Sequence, residues 1–144
     1  MLLQLSAKPI QKEIDIILGS KYFADGDAIR IDSVKSTSEK MEIGDTVNIE
    51  GMYRLDSKSE AQLGLYLTQT RGDGLSETDK NQTLHAKEGW HKFSLSITVK
   101  HEGFLHLTFY DNKTRKPFGG VYFSSPEHSD LVKKMPVKHY IGKL

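Results

Sequence analysis

The sequence predicts an all-β fold, an antiparallel β-sandwich of jelly-roll type. Three observations lead there. Apolar and polar residues alternate with period two over several short runs, and turn-forming Gly, Asp, Asn and Ser cluster between the runs. No strand–helix–strand spacing and no internal repeat breaks the series.

The first 20 residues read two ways. Pro9 opens and Gly19 closes a run in which Ile10, Ile14, Ile17 and Leu18 recur at helical spacing. Ile14, Ile16 and Leu18 fit a strand equally well, so this is a short N-terminal helix or a strand. Asp25-Gly26-Asp27 then forms a turn before a strand through Ile29 and Ile31. Gly44-Asp45 leads into the clearest run, where Val47, Ile49, Gly51, Tyr53 and Leu55 alternate with Asn48, Glu50, Met52 and Arg54. Asp56 to Glu60 is expected to be the turn that ends it.

Leu63, Leu65 and Leu67 form the next apolar row, with Tyr66 on its opposite side. The polar stretch from Thr70 to Glu88 reads as a long loop, of the kind that is functional or mobile in a small domain. Phe93, Leu95, Ile97 and Val99 form another row. Trp90, at the entry to that strand and out of phase with its core residues, is expected to pack into a sandwich end. Leu105, Leu107 and Phe109 follow, set against His106 and Tyr110, and Val121 and Phe123 close the series around Tyr122. The whole reads as one domain over residues 1–144 with its core at about 25–125. The basic tail, 126–144, is tied down by Met135, Val137, Tyr140 and Ile141.

Composition bounds the function. A chain of 144 residues buries enough surface to fold without staples. Twenty Lys+Arg against 19 Asp+Glu give a net charge of +1, which argues against nucleic acid as a partner. The absence of cysteine removes disulfides, thiolate metal sites and Cys nucleophiles. No apolar run is long enough for a membrane span. The compartment stays open: cytoplasmic if Met1 is the native start, secreted or periplasmic if the chain was cut from a longer protein.

No hydrolase elbow, zincin or P-loop motif is present, and the six His have no short metal-ligand spacing. The chain is therefore expected not to be an enzyme. Asp25 and Asp27 offer hard oxygen ligands around a Gly turn, which suits a structural Ca²⁺, while a plain solvated turn accounts for them as well. The remaining constellation is a face. If the Leu, Ile and Phe rows point inward, alternation sends Arg54, Tyr66, His106, Tyr110 and Tyr122 outward. Phenol rings stack on sugar C–H groups, while hydroxyl, imidazole and guanidinium groups bond to sugar hydroxyls. Outer tyrosines that merely pair across strands give the structural alternative.

Gly44-Asp45-Thr46-Val47-Asn48-Ile49-Glu50-Gly51-Met52-Tyr53-Arg54-Leu55 resembles the "G-x-T-Y-x-φ-S-x-W-φ-K" strand of jelly-roll carbohydrate-binding modules. Gly89-Trp90-His91-Lys92-Phe93-Ser94-Leu95 is similar to their "G-x-W-x-x-φ" strand, and Leu105 to Asp111 to the "φ-x-φ-x-F" strand that follows. Phe118-Gly119-Gly120-Val121-Tyr122-Phe123 stands where those modules commonly carry "φ-D-D-φ". The resemblance implies a non-catalytic accessory domain of an exported enzyme, binding a glycan or polysaccharide and often carrying Ca²⁺. The competing expectation is a structural or protein-interaction domain whose outer face docks on a neighbouring domain or subunit.

Overall fold

The structure, a computed structural model, describes residues 11–75 and 77–137. Seven strands account for most of them: β1 (Lys12–Glu13), β2 (Ile17–Tyr22), β3 (Ala28–Ser36), β4 (Thr46–Gln69), β5 (Thr83–Thr98), β6 (Gly103–Tyr110) and β7 (Pro117–Ser124). A 3₁₀ turn, Pro126–His128, and one short helix, α1 (Ser129–Val132), follow them. Every strand pairing is antiparallel, so the all-β expectation holds. The strands form one connected sheet in the order β1-β3-β4-β6-β7-β2, with β5 along the other edge of β4, and the sheet curls into a half-barrel.

The ambiguous N-terminal run is a strand from Ile17 onward. Its backbone finds partners on the free edge of β7, where Leu18 pairs with Phe123 and Tyr22 with Gly120. Long-range pairing of this kind overrides the helical spacing of the isoleucines. The tail expectation is met in part, since residues 126–132 are helical, whereas Tyr140 and Ile141 lie outside the described residues.

One expected turn is absent. Asp56 to Glu60 does not end a strand; β4 runs through it for 24 residues. The pairing with β5 jumps there, from Leu55↔Gly89 to Glu60↔Lys87, so four residues of β4 face a single residue of β5. Gly89 takes φ +97°, a left-handed backbone that suits glycine at a bulge. The ribbon bends at this point and β4 changes its second neighbour. Before the bend it pairs with β3, from Ser36↔Val47 to Ala28↔Arg54. After it, β6 takes over, from Gln62↔Tyr110 to Gln69↔Gly103.

Strand alternation carries the apolar rows to the concave side on both sides of the bend. Val47, Ile49, Tyr53, Leu55, Leu63 and Leu65 of β4 are buried there. They meet Phe93, Leu95 and Ile97 of β5, the Leu105, Leu107 and Phe109 row, and Val121 and Phe123 in one cluster. Tyr53 is the one phenol in that cluster, and its hydroxyl accepts a hydrogen bond from the Lys87 amide at 2.9 Å. A buried polar atom is thereby satisfied.

The expected loop after Thr70 ends at Gln82, earlier than anticipated, because Thr83 to Lys87 pair with Gly64 to Glu60. Its second half is sewn to the outer edge of β5. The Ser96 amide donates to Asn81 O at 2.9 Å and the Thr98 amide to Asp79 Oδ2 at 2.7 Å. Lys100 Nζ adds a 2.6 Å bond to the other Asp79 oxygen. Burial pushes the Asp79 carboxyl up, but the bonds from Lys100 and Thr98 outweigh it and leave the group below its ordinary value.

Gly51 marks where β3 and β4 approach most closely. A Cβ at this position would sit 1.9 Å from Arg30 O, beside the irregularity between Ile31 and Ser33. The obstructing atom is backbone and cannot swing away. Gly51→Ala is therefore expected to lower stability by about 1–3 kcal/mol. Urea unfolding should show a lower midpoint at an unchanged slope, and an unmoved midpoint would contradict the close approach.

Candidate functional site

Four of the five sequence-predicted face residues lie together on the convex side of the β4–β6–β7 half. Tyr66 pairs with His106, His106 with Tyr122, and Tyr110 with Gln62. Their rings form a continuous layer. Tyr66 meets Tyr110 edge-on at 5.3 Å and His106 at 5.9 Å, and His106 lies 4.8 Å from Tyr122. The polar tips are engaged as well. Gln62 Nε2 donates to the Tyr66 hydroxyl at 2.8 Å, the Tyr122 and Thr68 hydroxyls share a 2.8 Å bond, and His106 Nδ1 lies 2.5 Å from Thr108 Oγ1.

Two of these residues are not displayed. Tyr122 is fully buried and His106 only 3% exposed. The chain after β7 packs over them: Val132 of α1 joins Tyr122 in a second cluster with Ile17, Phe104, Met135 and Val137 around it. Ser20 Oγ donates to Met135 O at 2.7 Å, and His128 meets the Phe104 ring edge-on at 6.0 Å. Gly19 makes room for this layer, since a Cβ there would lie 2.4 Å from Val132 O. Alternation fixed which side of the sheet these rings take. It carried no information on what else covers that side.

Tyr66 and Tyr110 are half-buried. Burial pushes both phenols up, Tyr110 to about 12 with the neighbouring Tyr66 adding to the effect. Arg54 lies apart from the cluster, exposed on the β3–β4–β5 half.

Asp25 and Asp27 do not converge as a cation site. Asp25 is exposed, whereas Asp27 is buried and its carboxylate is occupied. Oδ1 accepts from the Asp56 amide at 2.7 Å and the Ser57 amide at 2.9 Å, and Oδ2 accepts from Ser57 Oγ at 2.6 Å. Those amides lie where β4 runs past β5 without a partner, so Asp27 supplies the acceptor that the bend removes. Gly26, at φ +84°, lets the turn pass against the Asp56 side chain. Among the described residues no group of three His, Cys, Asp or Glu is placed to hold a metal ion. Among the same residues no helix is long and apolar enough to cross a membrane.

The residue that sequence reasoning misplaced is Trp90. It is 50% exposed, directly across from Arg54 on the convex face of β4–β5. The signal was in its phase: Trp90 alternates with Lys92 and Ser94, against the buried Phe93 and Leu95. Beside it the face carries Met52 opposite Lys92 and Glu50 opposite Ser94. Together with Arg30 and Asp32, these side chains border a shallow hollow of about 560 Å³. Arg30 and Asp32 hold each other through two bonds of 2.8 and 3.1 Å.

The raised phenols give a check on the buried ring layer. A group whose proton is held more tightly in the folded state contributes stability below its unfolded value of 10.0, and that contribution fades as pH rises through the folded value. Stability is therefore expected to fall between pH 10 and about 12, and to fall less in Tyr110→Phe. Spectrophotometric titration of the phenols, run beside unfolding at each pH, measures both; ionisation of every tyrosine near 10 would remove the layer as described.

Compared with protein-family models, curated proteins and solved structures, the chain finds no match.

Proposed function

We propose that this chain is a non-catalytic, jelly-roll-like binding domain that recognises carbohydrate on the convex face of β3, β4 and β5. The observation that carries the reading is the half-exposed Trp90 ring opposite Arg54. An indole offers a flat apolar surface for the C–H face of a pyranose, and its edge N–H and the guanidinium can bond to hydroxyls. Asn48, Glu50, Lys92, Ser94 and Ser96 extend the same face with donors and acceptors. Asn48 Nδ2 already bonds Ser96 Oγ at 2.8 Å, which holds that pair in place before a ligand arrives. Of the residues first expected to bind sugar, Arg54 keeps that role. Tyr66, His106, Tyr110 and Tyr122 serve the layer beneath the C-terminal segment.

A second reading, docking on a neighbouring domain or subunit, draws on a different feature. The seam between β2 and β3 holds a groove of about 440 Å³ lined by Ile14, Ile16, Leu18, Phe23, Ile29 and Ile31 among others, with Leu18 47% exposed. Exposed apolar grooves of this kind favour a protein partner.

Trp90 is the only tryptophan, so its fluorescence reports the proposed site directly. Titration with a panel of soluble oligosaccharides is expected to shift or quench its emission for at least one sugar. Trp90→Ala should remove retention on the matching polysaccharide, costing about 1–3 kcal/mol of binding. Arg54→Ala should weaken it, while Tyr66→Phe should leave it unchanged. Silence across the panel, or binding that survives Trp90→Ala, would end the carbohydrate reading; self-association lost in Leu18→Glu would favour the docking one.

A further inference from the structure

One end of the curled sheet holds a second concavity, distinct from the Trp90 face. Three turns meet there: the connection from β3 to β4, the one from β5 to β6, and the 3₁₀ turn after β7. They enclose about 370 Å³, with Met41, Ile43 and Val99 as apolar lining and Glu42, Glu102 and Glu127 among the polar lining. The first turn is rigidly built. Asp45 accepts bonds from Thr37 Oγ1 at 2.8 Å, Ser38 Oγ at 2.5 Å and the Glu42 amide at 2.9 Å, and Met41 between them is held at φ +50°. A non-glycine residue in that conformation persists only where its surroundings fix it.

A narrower recess of about 20 Å³ adjoins this pocket, sharing Lys40, Met41, Gly103 and His128 with it. Ser125 lines the recess. It is 4% exposed, and its Oγ has no hydrogen-bond partner. The neighbouring Ser124 Oγ, by contrast, donates to Ser125 O at 2.8 Å. A buried hydroxyl left without a partner destabilises the fold and calls for an explanation. The recess is larger than the roughly 10–15 Å³ that one polar atom of a ligand or one water needs.

Charge selects the ligand. Three glutamates face one lysine, Lys40, around the pocket, with His101 and His128 beside them. Arg71 approaches Glu102 only to 3.8 Å with both side chains largely exposed, so it offsets little of that charge. Glu127 lies 3.4 Å from His128. We infer that this pocket binds a small cationic ligand that also carries hydroxyls, the chemistry of an amino sugar. The ammonium sits at the glutamate rim, the apolar ring face rests on Met41 and Ile43, and one hydroxyl reaches Ser125 Oγ. The site does not depend on the Trp90 reading.

The test is a titration of the full chain, labelled with ¹⁵N, by glucosamine, glucose and cyclohexylamine. Glucosamine is expected to shift the amides of Met41, Gly103 and Ser125 at millimolar concentration. Glucose, lacking the charge, and cyclohexylamine, lacking the hydroxyls, should each bind about tenfold more weakly. Ser125→Ala should weaken glucosamine about fivefold or more without lowering the melting temperature, since no protein hydrogen bond is lost. Glu42→Gln, on the exposed rim, should act in the same direction and serves if the serine variant does not fold. Trp90→Ala should leave these shifts intact. No response to glucosamine, equal binding of glucose, or full affinity in both Ser125→Ala and Glu42→Gln would overturn the site, leaving the recess to a single water.

Discussion

The rest of the structure depends on the bend in the β4–β5 ribbon. A straight 24-residue strand with one face apolar would present that face along a flat surface, with nothing to close over it. Bending brings the rows on either side, Val47 to Leu55 and Leu63 to Leu65, into one enclosed cluster. It also exposes a local deficit, because the backbone of Asp56 and Ser57 has no partner in β5. Asp27 meets that deficit with three hydrogen bonds from a turn far away in sequence. A charged acceptor receiving backbone amides makes stronger bonds than a neutral one. One carboxylate thus ties the start of β3 to the point where β4 changes partner.

The bend divides the convex side into two surfaces with different fates. On the β6–β7 half the outward rings are roofed by residues 126–137, and Tyr122 joins Val132 in a small second core. On the β3–β5 half the outward row of Arg54, Trp90, Lys92 and Glu50 is exposed. Both surfaces obey the same alternation, and the difference comes from where the chain goes after β7. Burying an aromatic layer under the short helix stabilises a segment too brief to be helical alone. Leaving the other face bare keeps polar groups and one indole at the disposal of a ligand.

This division explains how much could be read from the sequence. Period-two alternation identified the strands because one side of each packs on the core, and it assigned Tyr66, His106, Tyr110 and Tyr122 correctly to the side away from it. It could not report that a later segment would lie on top. Asp56 to Glu60 has the composition of a turn, yet the pairing that decides whether a chain reverses there is a long-range property. Asp25-Gly26-Asp27 showed a carboxylate pair, but only the fold reveals that Asp27 is already occupied by backbone donors. Trp90 was legible in its phase with Lys92 and was set aside on the general habits of tryptophan. Ser125 carried no sequence signal, since an unmet hydrogen bond exists only in three dimensions.

The loop before β5 has a consequence for how copies of this chain behave together. The outer edge of β5 presents unpaired backbone groups, the kind of border that recruits strands from other molecules. Asn81 and Asp79 occupy that border at Ser96 and Thr98. Lys92 lines the stretch just before them. An incoming strand meets a plugged end and a charged approach, so the segment acts as a guard against fibrous aggregation, a task unrelated to recognition.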